Sequence, residues 1–247
     1  MVYDRIALML PTYGRCDTYL PRFIESAIAT ASSPKAVCFS FCVNVKDVKT
    51  QEFLKAYDFK GHEWEWIPES LPSPNLARYF NILYTLTKFN QPETVVSMVG
   101  DDFEMKTQGW DEQLLAQINY YQGVGVFFCN DNYIARERCC VNVFVTRKMV
   151  EATGRPFMAE EFAADQIDVV WHEVGRTTKS LHFYPDIIMM HNHNSRKPKE
   201  QWDETYKKLN VIQNQVYASG GKPKAKAIGR EIGAILLAKG FRGDSIC

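Results

Sequence analysis

The chain has 247 residues, 46% of them hydrophobic and 13% aromatic, enough to bury a substantial core in one large domain or in one domain with a C-terminal appendage. Lys plus Arg and Asp plus Glu both number 29, yet residues 1–195 carry 18 basic against 24 acidic side chains and residues 196–242 carry 11 against 4. No stretch approaches the roughly 18–20 apolar residues of a membrane span, and the first ten residues lack the apolar core and small-residue cleavage site of a secretory leader. Seven cysteines without metal-ligand spacing read as reduced thiols of a cytoplasmic protein, with Cys139 and Cys140 on opposite faces of a strand.

In chain order, Ile6–Leu10 is a predicted strand ended by Pro11, and T-Y-G-R turns the chain before helical spacing returns at Phe23–Thr30. Arg15 sits where strand passes into helix, a usual approach for a phosphate or nucleotide. Ala36–Val45 is a second strand ending near Asn44, Thr50–Tyr57 a helix, and His62–Ile67 a short alternating strand. Pro68–Pro74, with three prolines and two serines, reads as a loop. From Asn75 a helix begins that places Arg78 and Asn81 on one face.

Val95–Glu104 reads V-V-S-M-V-G-D-D-F-E, a β-branched apolar run that breaks at Gly100 into two aspartates. The run fits a strand buried on both faces, Gly100 permits a sharp backbone turn, and Asp101 and Asp102 emerge at the strand end, where ligands sit in open α/β sheets. Two adjacent carboxylates repel unless a cation or donor groups neutralise them, and oxygen ligands of this kind suit Mg²⁺ or Mn²⁺. The plainer reading is that one of them caps the helix entered at Trp110.

Val124–Cys129 and Val141–Thr146 are further strands, and Arg147–Ala152 is a short helix stopped by Gly154. Asp165 falls near the start of a helix that Gly175 is expected to end. A carboxylate in that apolar rim can take a proton from a hydroxyl nucleophile, and its plainer reading is again a cap. Asp186–Met190 is a last strand, running into His191 and His193, which leave one face if the strand continues through them. Two imidazoles there could complete a metal site with the acidic turn. Glu200–Ser219 is helical, and residues 222–242 form an amphipathic helix rich in Lys and Arg.

These pieces, spread over residues 6–194, resemble a nucleotide-sugar glycosyltransferase of the GT-A fold, family 2-like. They are P-T-Y-G-R after the first strand, the Arg78/Asn81 helix, V-G-D-D in place of the aspartate-x-aspartate motif, G-W-D soon after, an acid opening a helix, and a late histidine. The resemblance implies a Rossmann-like α/β domain over residues 1–195, with a mostly parallel sheet flanked by helices, and a basic helical extension over 196–247. It implies a Mn²⁺ or Mg²⁺ ion on Asp102 with His191 or His193, and Asp101 near the ribose or sugar. Pro11, Thr12, Tyr13, Arg15 and the Asn44 region would hold a nucleotide, UDP-linked in the usual case, with Arg78 and Asn81 also donor-binding. Asp165 would be the base of an inverting transfer.

The basic tail suits a DNA acceptor carrying a hydroxymethylated base, whose phosphates Lys222, Lys224, Lys226, Arg230, Lys239 and Arg242 could neutralise. A glycan or lipid-linked acceptor is the alternative. A sugar nucleotidyltransferase is disfavoured by the single glycine of P-T-Y-G-R, and a non-catalytic nucleic-acid-binding module would need no converging acids.

Overall fold

The structure is a computed structural model that describes residues 1–71, 75–133, 135–162 and 166–243. Among these, eight strands form a sheet in the order β3-β2-β1-β4-β7-β6-β8-β5. The strands are β1 (Arg5–Thr12), β2 (Val37–Asn44), β3 (Glu63–Glu69), β4 (Thr94–Met98), β5 (Phe103–Met105), β6 (Val126–Asn130), β7 (Val143–Thr146) and β8 (Leu181–His191). Pairings β1–β2, β1–β4, β2–β3 and β6–β8 are parallel; β4–β7, β6–β7 and β5–β8 are antiparallel. The helices are α1 (Tyr19–Thr30), α2 (Val48–Ala56), α3 (Leu76–Leu86), α4 (Trp110–Tyr120), α5 (Arg147–Thr153), α6 (Ile167–Thr177), α7 (Glu204–Ala218) and α8 (Gly221–Ala238).

The sheet has a packed layer on each face, because buried strands expose alternate side chains to opposite sides. Ile6, Leu8 and Leu10 of β1 join Phe23 and Ile24 of α1 and Trp110 and Leu114 of α4 in one core. Met9 of β1 and Val96 of β4 face the other, with Phe80 of α3, Met149 of α5, Trp171 of α6 and Leu236 of α8. Helix α8 lies against α6 so closely that a Cβ on Gly229 would sit 2.6 Å from the Val170 carbonyl oxygen, and one on Gly233 2.6 Å from Thr177 Cβ. Both partner positions rise together along the chain, so α8 runs parallel to α6, and its lysine-bearing start lies beside the start of α6.

Several boundaries differ from the sequence reading. Strand β1 continues through Pro11 to Thr12, because β4 has left β1 after Ala7 and one edge of β1 is open where the proline sits. Pro68 and Glu69 extend β3 rather than opening a loop, and residues 72–74 of that expected loop lie outside the described residues. Gly175 lies inside α6, where Leu181 and Val126 pack too near for any Cβ. Strand β8 begins five residues earlier than expected, at Leu181. Cys139 and Cys140 fall outside the regular strands, after a short 3₁₀ turn, and both thiols donate to Asp168. The Gly109 backbone, in the left-handed region at φ 69°, occupies the cap of α4, so neither Asp101 nor Asp102 caps that helix. Asp111, fully buried in the first turn of α4, instead ties that helix to the loop after α1, accepting from Ser32 N at 2.7 Å and Ser33 N at 3.1 Å.

Strand β5 has no expected counterpart. Its three residues follow the acidic turn and pair antiparallel with the end of β8, setting Phe103 opposite His191. That pairing assembles the site.

Candidate functional site

A cleft of about 770 Å³ opens over the carboxyl ends of β1, β2, β3 and β4, the edge where open α/β sheets place ligands. Its floor is the turn after β4. Gly100 is required there for room rather than for a special φ, since a Cβ would fall 2.5 Å from Asp102 Oδ1. Asp102 faces His191, with Oδ2 3.4 Å from Nε2. The imidazole is held flat against the Phe103 ring, 4.2 Å between centroids and 13° between planes. Main-chain bonds from His191 N to Asp131 O (3.0 Å) and from Asn192 N to Asp102 O (2.8 Å) fix the two segments together.

Asp101 points the other way. Its Oδ2 accepts from Thr12 Oγ1 at 2.7 Å and its Oδ1 from Arg15 Nη1 at 2.5 Å. Gly14, at φ 65°, makes the turn that brings Arg15 back, and its N–H donates to Asp47 Oδ2 at 2.7 Å. Arg15 also reaches Asp203, just before α7, with Nη2 to Oδ2 at 3.1 Å. Asp203 accepts from Asn194 Nδ2 and from Tyr206 N, and Tyr19 Oη donates to Asn194 Oδ1. The polar chain Asp101–Arg15–Asp203–Asn194–Tyr19 therefore ties β4, the β1–α1 loop, the segment after β8 and α7 into one wall.

The charges follow from this packing. Burial pushes the Asp101 carboxyl up and the adjacent Asp102 adds to that, against the pull of Arg15. Burial also pushes Asp102 up, but His191, Arg15 and His193 outweigh it and hold its carboxyl well below the usual range. Burial pulls Arg15 down, and Asp101, Asp102 and Asp203 together raise it above its ordinary value. His193 is lowered to about 4 by burial and by His191. Asp102 is thus ionised, with a ring nitrogen of His191 beside it.

The donor set fits a hard or borderline divalent cation held by two protein groups. Two ligand atoms about 2.1 Å from an octahedral ion lie roughly 3 Å apart, close to the 3.4 Å between Asp102 Oδ2 and His191 Nε2. Among the described residues no three His, Cys, Asp or Glu side chains converge as a ready cage. An ion here would take its other ligands from substrate oxygens and water, as Mg²⁺ and Mn²⁺ commonly do. His193 packs edge-on against His191 and Tyr206.

Of the residues singled out in the sequence, Pro11, Thr12, Tyr13, Arg15, Asn44, Asp101, Asp102, His191 and His193 line the cleft. Arg78 and Asn81 do not. They line a separate shallow dent with Leu71, Ile82 and Glu160, because the side of α3 they share turns away from the strand ends. Arg78 pairs with Glu160 at 3.3 Å, and Asn81 holds Met158 by both its N–H and its carbonyl. They anchor the segment that precedes α6. Asp165 lies outside the described residues. Asp168, the second residue of α6, lines the cleft and accepts from Cys139 Sγ at 3.4 Å.

Glu69, Tyr79, Tyr206 and Lys208 also line the cleft and were not foreseen. Glu69 ends β3 as Asn44 ends β2, one strand over, and the prolines that follow it in sequence mask that strand end. The α7 pair was hidden by treating the basic tail as a unit apart. Of the basic side chains of that tail, Lys222, Lys224, Arg230, Lys239 and Arg242 are exposed and Lys226 is half-buried. Arg230 approaches Glu173 at 3.5 Å and Lys239 Nζ donates to the Ala152 carbonyl at 2.7 Å.

No protein-family model and no curated protein matches the sequence. Solved structures match it in shape. S. aureus TarS 1-349 in complex with UDP superposes with a TM-score of 0.59 at 10% identity, over 75% of this chain and 59% of that one. TarS 1-349 alone gives 0.62 at 10%, over 95% and 72%. The mannosyltransferase PcManGT from Pyrobaculum calidifontis, in complex with GDP-Man and Mn²⁺, gives 0.57 at 12%, over 96% and 79%. The chain therefore spans only 59% of the length of the UDP-bound TarS fragment. At these identities the shared property is the fold, and that fold is the GT-A-like architecture of nucleotide-sugar glycosyltransferases.

Proposed function

We propose that the chain is a metal-dependent glycosyltransferase that moves a sugar from a nucleotide-sugar donor to an acceptor hydroxyl, with inversion at the anomeric carbon. The observation that carries this reading is the pairing of ionised Asp102 with His191 on the floor of the cleft, beside the buried guanidinium of Arg15. Asp102 and His191 would hold Mn²⁺ or Mg²⁺, which when bound neutralises charge growing on a leaving diphosphate. Arg15, fixed by Asp101 and Asp203, adds a preorganised positive charge at the same end. Asp165 is the base the fold's resemblance implies: it takes the acceptor hydroxyl proton while the oxygen bonds the anomeric carbon and the diphosphate departs from the opposite face. The neighbours of this fold bind UDP or GDP-Man, which supports a nucleotide-sugar donor; a UDP-linked sugar such as UDP-glucose is the first to try.

The acceptor in this reading carries phosphates. Helix α8 starts beside α6, whose Ile167 and Asp168 line the cleft, and it begins with exposed Lys222 and Lys224. A duplex DNA containing a hydroxymethylated base would meet that basic start while presenting its hydroxyl to the cleft. No helix among the described residues is long and apolar enough to cross a membrane. The six described cysteines are free, which suits a reducing, cytoplasmic setting.

The test is a donor screen with Mn²⁺, scoring nucleoside diphosphate release with and without hydroxymethylated duplex DNA. Release that needs the metal and rises with the duplex, less so as salt is added, is expected. Release that rises only with a glycan or lipid-linked acceptor would replace the acceptor, and no release from any donor would remove the enzyme reading.

A further inference from the structure

Arg15 serves two carboxylates on unequal terms. Asp101 takes Nη1 at 2.5 Å, and both side chains of that pair are at least nine-tenths covered. Asp203 takes Nη2, with its Oδ2 at 3.1 Å and its Oδ1 at 3.4 Å, and its side chain is 32% exposed. A buried pair is costly to break and a partly exposed one is worth little, so the Asp203 contact is the one that can be exchanged. Nη2 and Nε form one edge of the guanidinium, a fork that matches two oxygens of a carboxylate or a phosphate. Asp203 fills that edge by half. Both of its oxygens lie toward Nη2, and among the described residues the buried Nε meets no acceptor.

The same carboxylate holds the start of α7. Asp203 stands directly before that helix, its Oδ1 accepts from Tyr206 N at 2.7 Å, and its Oδ2 accepts from Asn194 Nδ2 at 2.8 Å. Tyr206, Lys208 and Gln213 of α7 line the cleft, so the place of α7 sets the shape of that wall. Asp101, Asp102 and Asp203 all act on the one guanidinium, and a diphosphate arriving at Arg15 meets Asp203 as a like charge at the same nitrogen. Resting on the nucleotide-sugar reading, we infer that Asp203 is a built-in competitor of the donor: its carboxylate occupies Arg15 Nη2 until a diphosphate takes that edge, and its release frees the start of α7. Asp101 keeps Nη1 throughout, so Arg15 stays in place during the exchange. Two phosphate oxygens satisfy Nε as well as Nη2, which Asp203 does not. Because the donor binds only where Asp203 has let go, the latch lowers its apparent affinity by the fraction of molecules that are latched.

Trp202, next to Asp203, reports on this point: its Nε1 donates to the Lys197 carbonyl at 3.1 Å, and its ring packs against Tyr206 at 5.5 Å between centroids. The experiment is equilibrium binding of UDP and GDP to the full chain with Mn²⁺, read beside the emission of Trp202, taken as the difference from the same protein carrying Trp202→Phe. The variants are Asp203→Asn and Asp203→Ser, which drop the charge and keep an acceptor for Tyr206 N. At least one nucleotide is expected to bind the wild type and change its Trp202 emission, and to bind both variants about two- to fivefold tighter, the scale of one partly exposed ion pair. Without nucleotide, both variants should already show the Trp202 emission of the nucleotide-bound wild type. Weaker binding by both variants overturns the inference and makes Asp203 a support of Arg15. Unchanged affinity, or nucleotide binding that leaves Trp202 emission unaltered, overturns it as well. Each of these results includes nucleotide binding and so leaves the nucleotide-sugar reading intact, whereas binding of neither nucleotide would overturn both.

Discussion

Arg15 and Asp101 form a buried ion pair, Nη1 to Oδ1 at 2.5 Å, in which both side chains are at least nine-tenths covered. The pair fastens the loop after β1 to the turn after β4. Removing one partner strands a charge in a low-dielectric site, which typically costs about 3–5 kcal/mol. Arg15→Ala should therefore lower unfolding stability by about that amount, read as a fall in urea midpoint. Asp101→Asn, which keeps a shape and an acceptor for Thr12, should cost less. Equal, small effects would mean the pair is not buried as described.

Gly100 offers a test that separates folding from ligand binding. A methyl group there would collide with the Asp102 carboxylate, not with backbone. Gly100→Ala should turn Asp102 away from His191 and weaken Mn²⁺-dependent donor binding at least about tenfold, while thermal stability changes little. Unchanged metal dependence would show that Asp102 has no fixed part in holding the ion.

Two acids compete for the role of base. Asp165→Asn should leave donor binding intact and abolish transfer, whereas Asp168→Asn, which keeps an acceptor oxygen for Val169 N or Cys139 Sγ, should retain most of the rate. The reverse ranking in single-turnover assays would make Asp168 the proton acceptor.

The contact of α8 with α6 depends on the absence of side chains. Gly229→Val places two methyl groups against the Val170 carbonyl and the Glu173 side chain. A loss of about 1–3 kcal/mol is expected from overpacking, with a matching fall in melting temperature. Wild-type stability would mean α8 is not docked there.

Acidification should weaken the fold through His182. Its ring is stacked on Tyr121 at 3.8 Å and on Phe127 at 5.0 Å between centroids, and burial lowers it to about 4. The unfolded chain, with an ordinary histidine near 6.5, binds the proton first. The contribution to stability is complete above about pH 6.5 and is lost as pH falls toward 4. His182→Phe should flatten urea midpoints measured across that window; an unchanged slope would contradict the assignment.

Much of the architecture was legible because the buried strands carry largely apolar runs and the helices a clear period. Asn75 and Gly154 marked a helix start and stop as their chemistry requires. What the sequence hid were features set by pairing. Strand β5 is three residues long, too short for any periodicity, and only its match to Met189–His191 makes it a strand. The same match explains how a histidine 89 positions after Asp102 comes to face it. Arg78 and Asn81 were correctly placed on one side of a helix, but periodicity says which residues share a side and not where that side points.

The most direct test of the central claim is retention of a labelled nucleotide sugar by the purified chain, with Mn²⁺ and with chelator, for the wild type and Asp102→Asn. Metal-dependent retention that Asp102→Asn loses is the expected result. Retention indifferent to metal and to Asp102, or none with any UDP- or GDP-linked sugar, would contradict it.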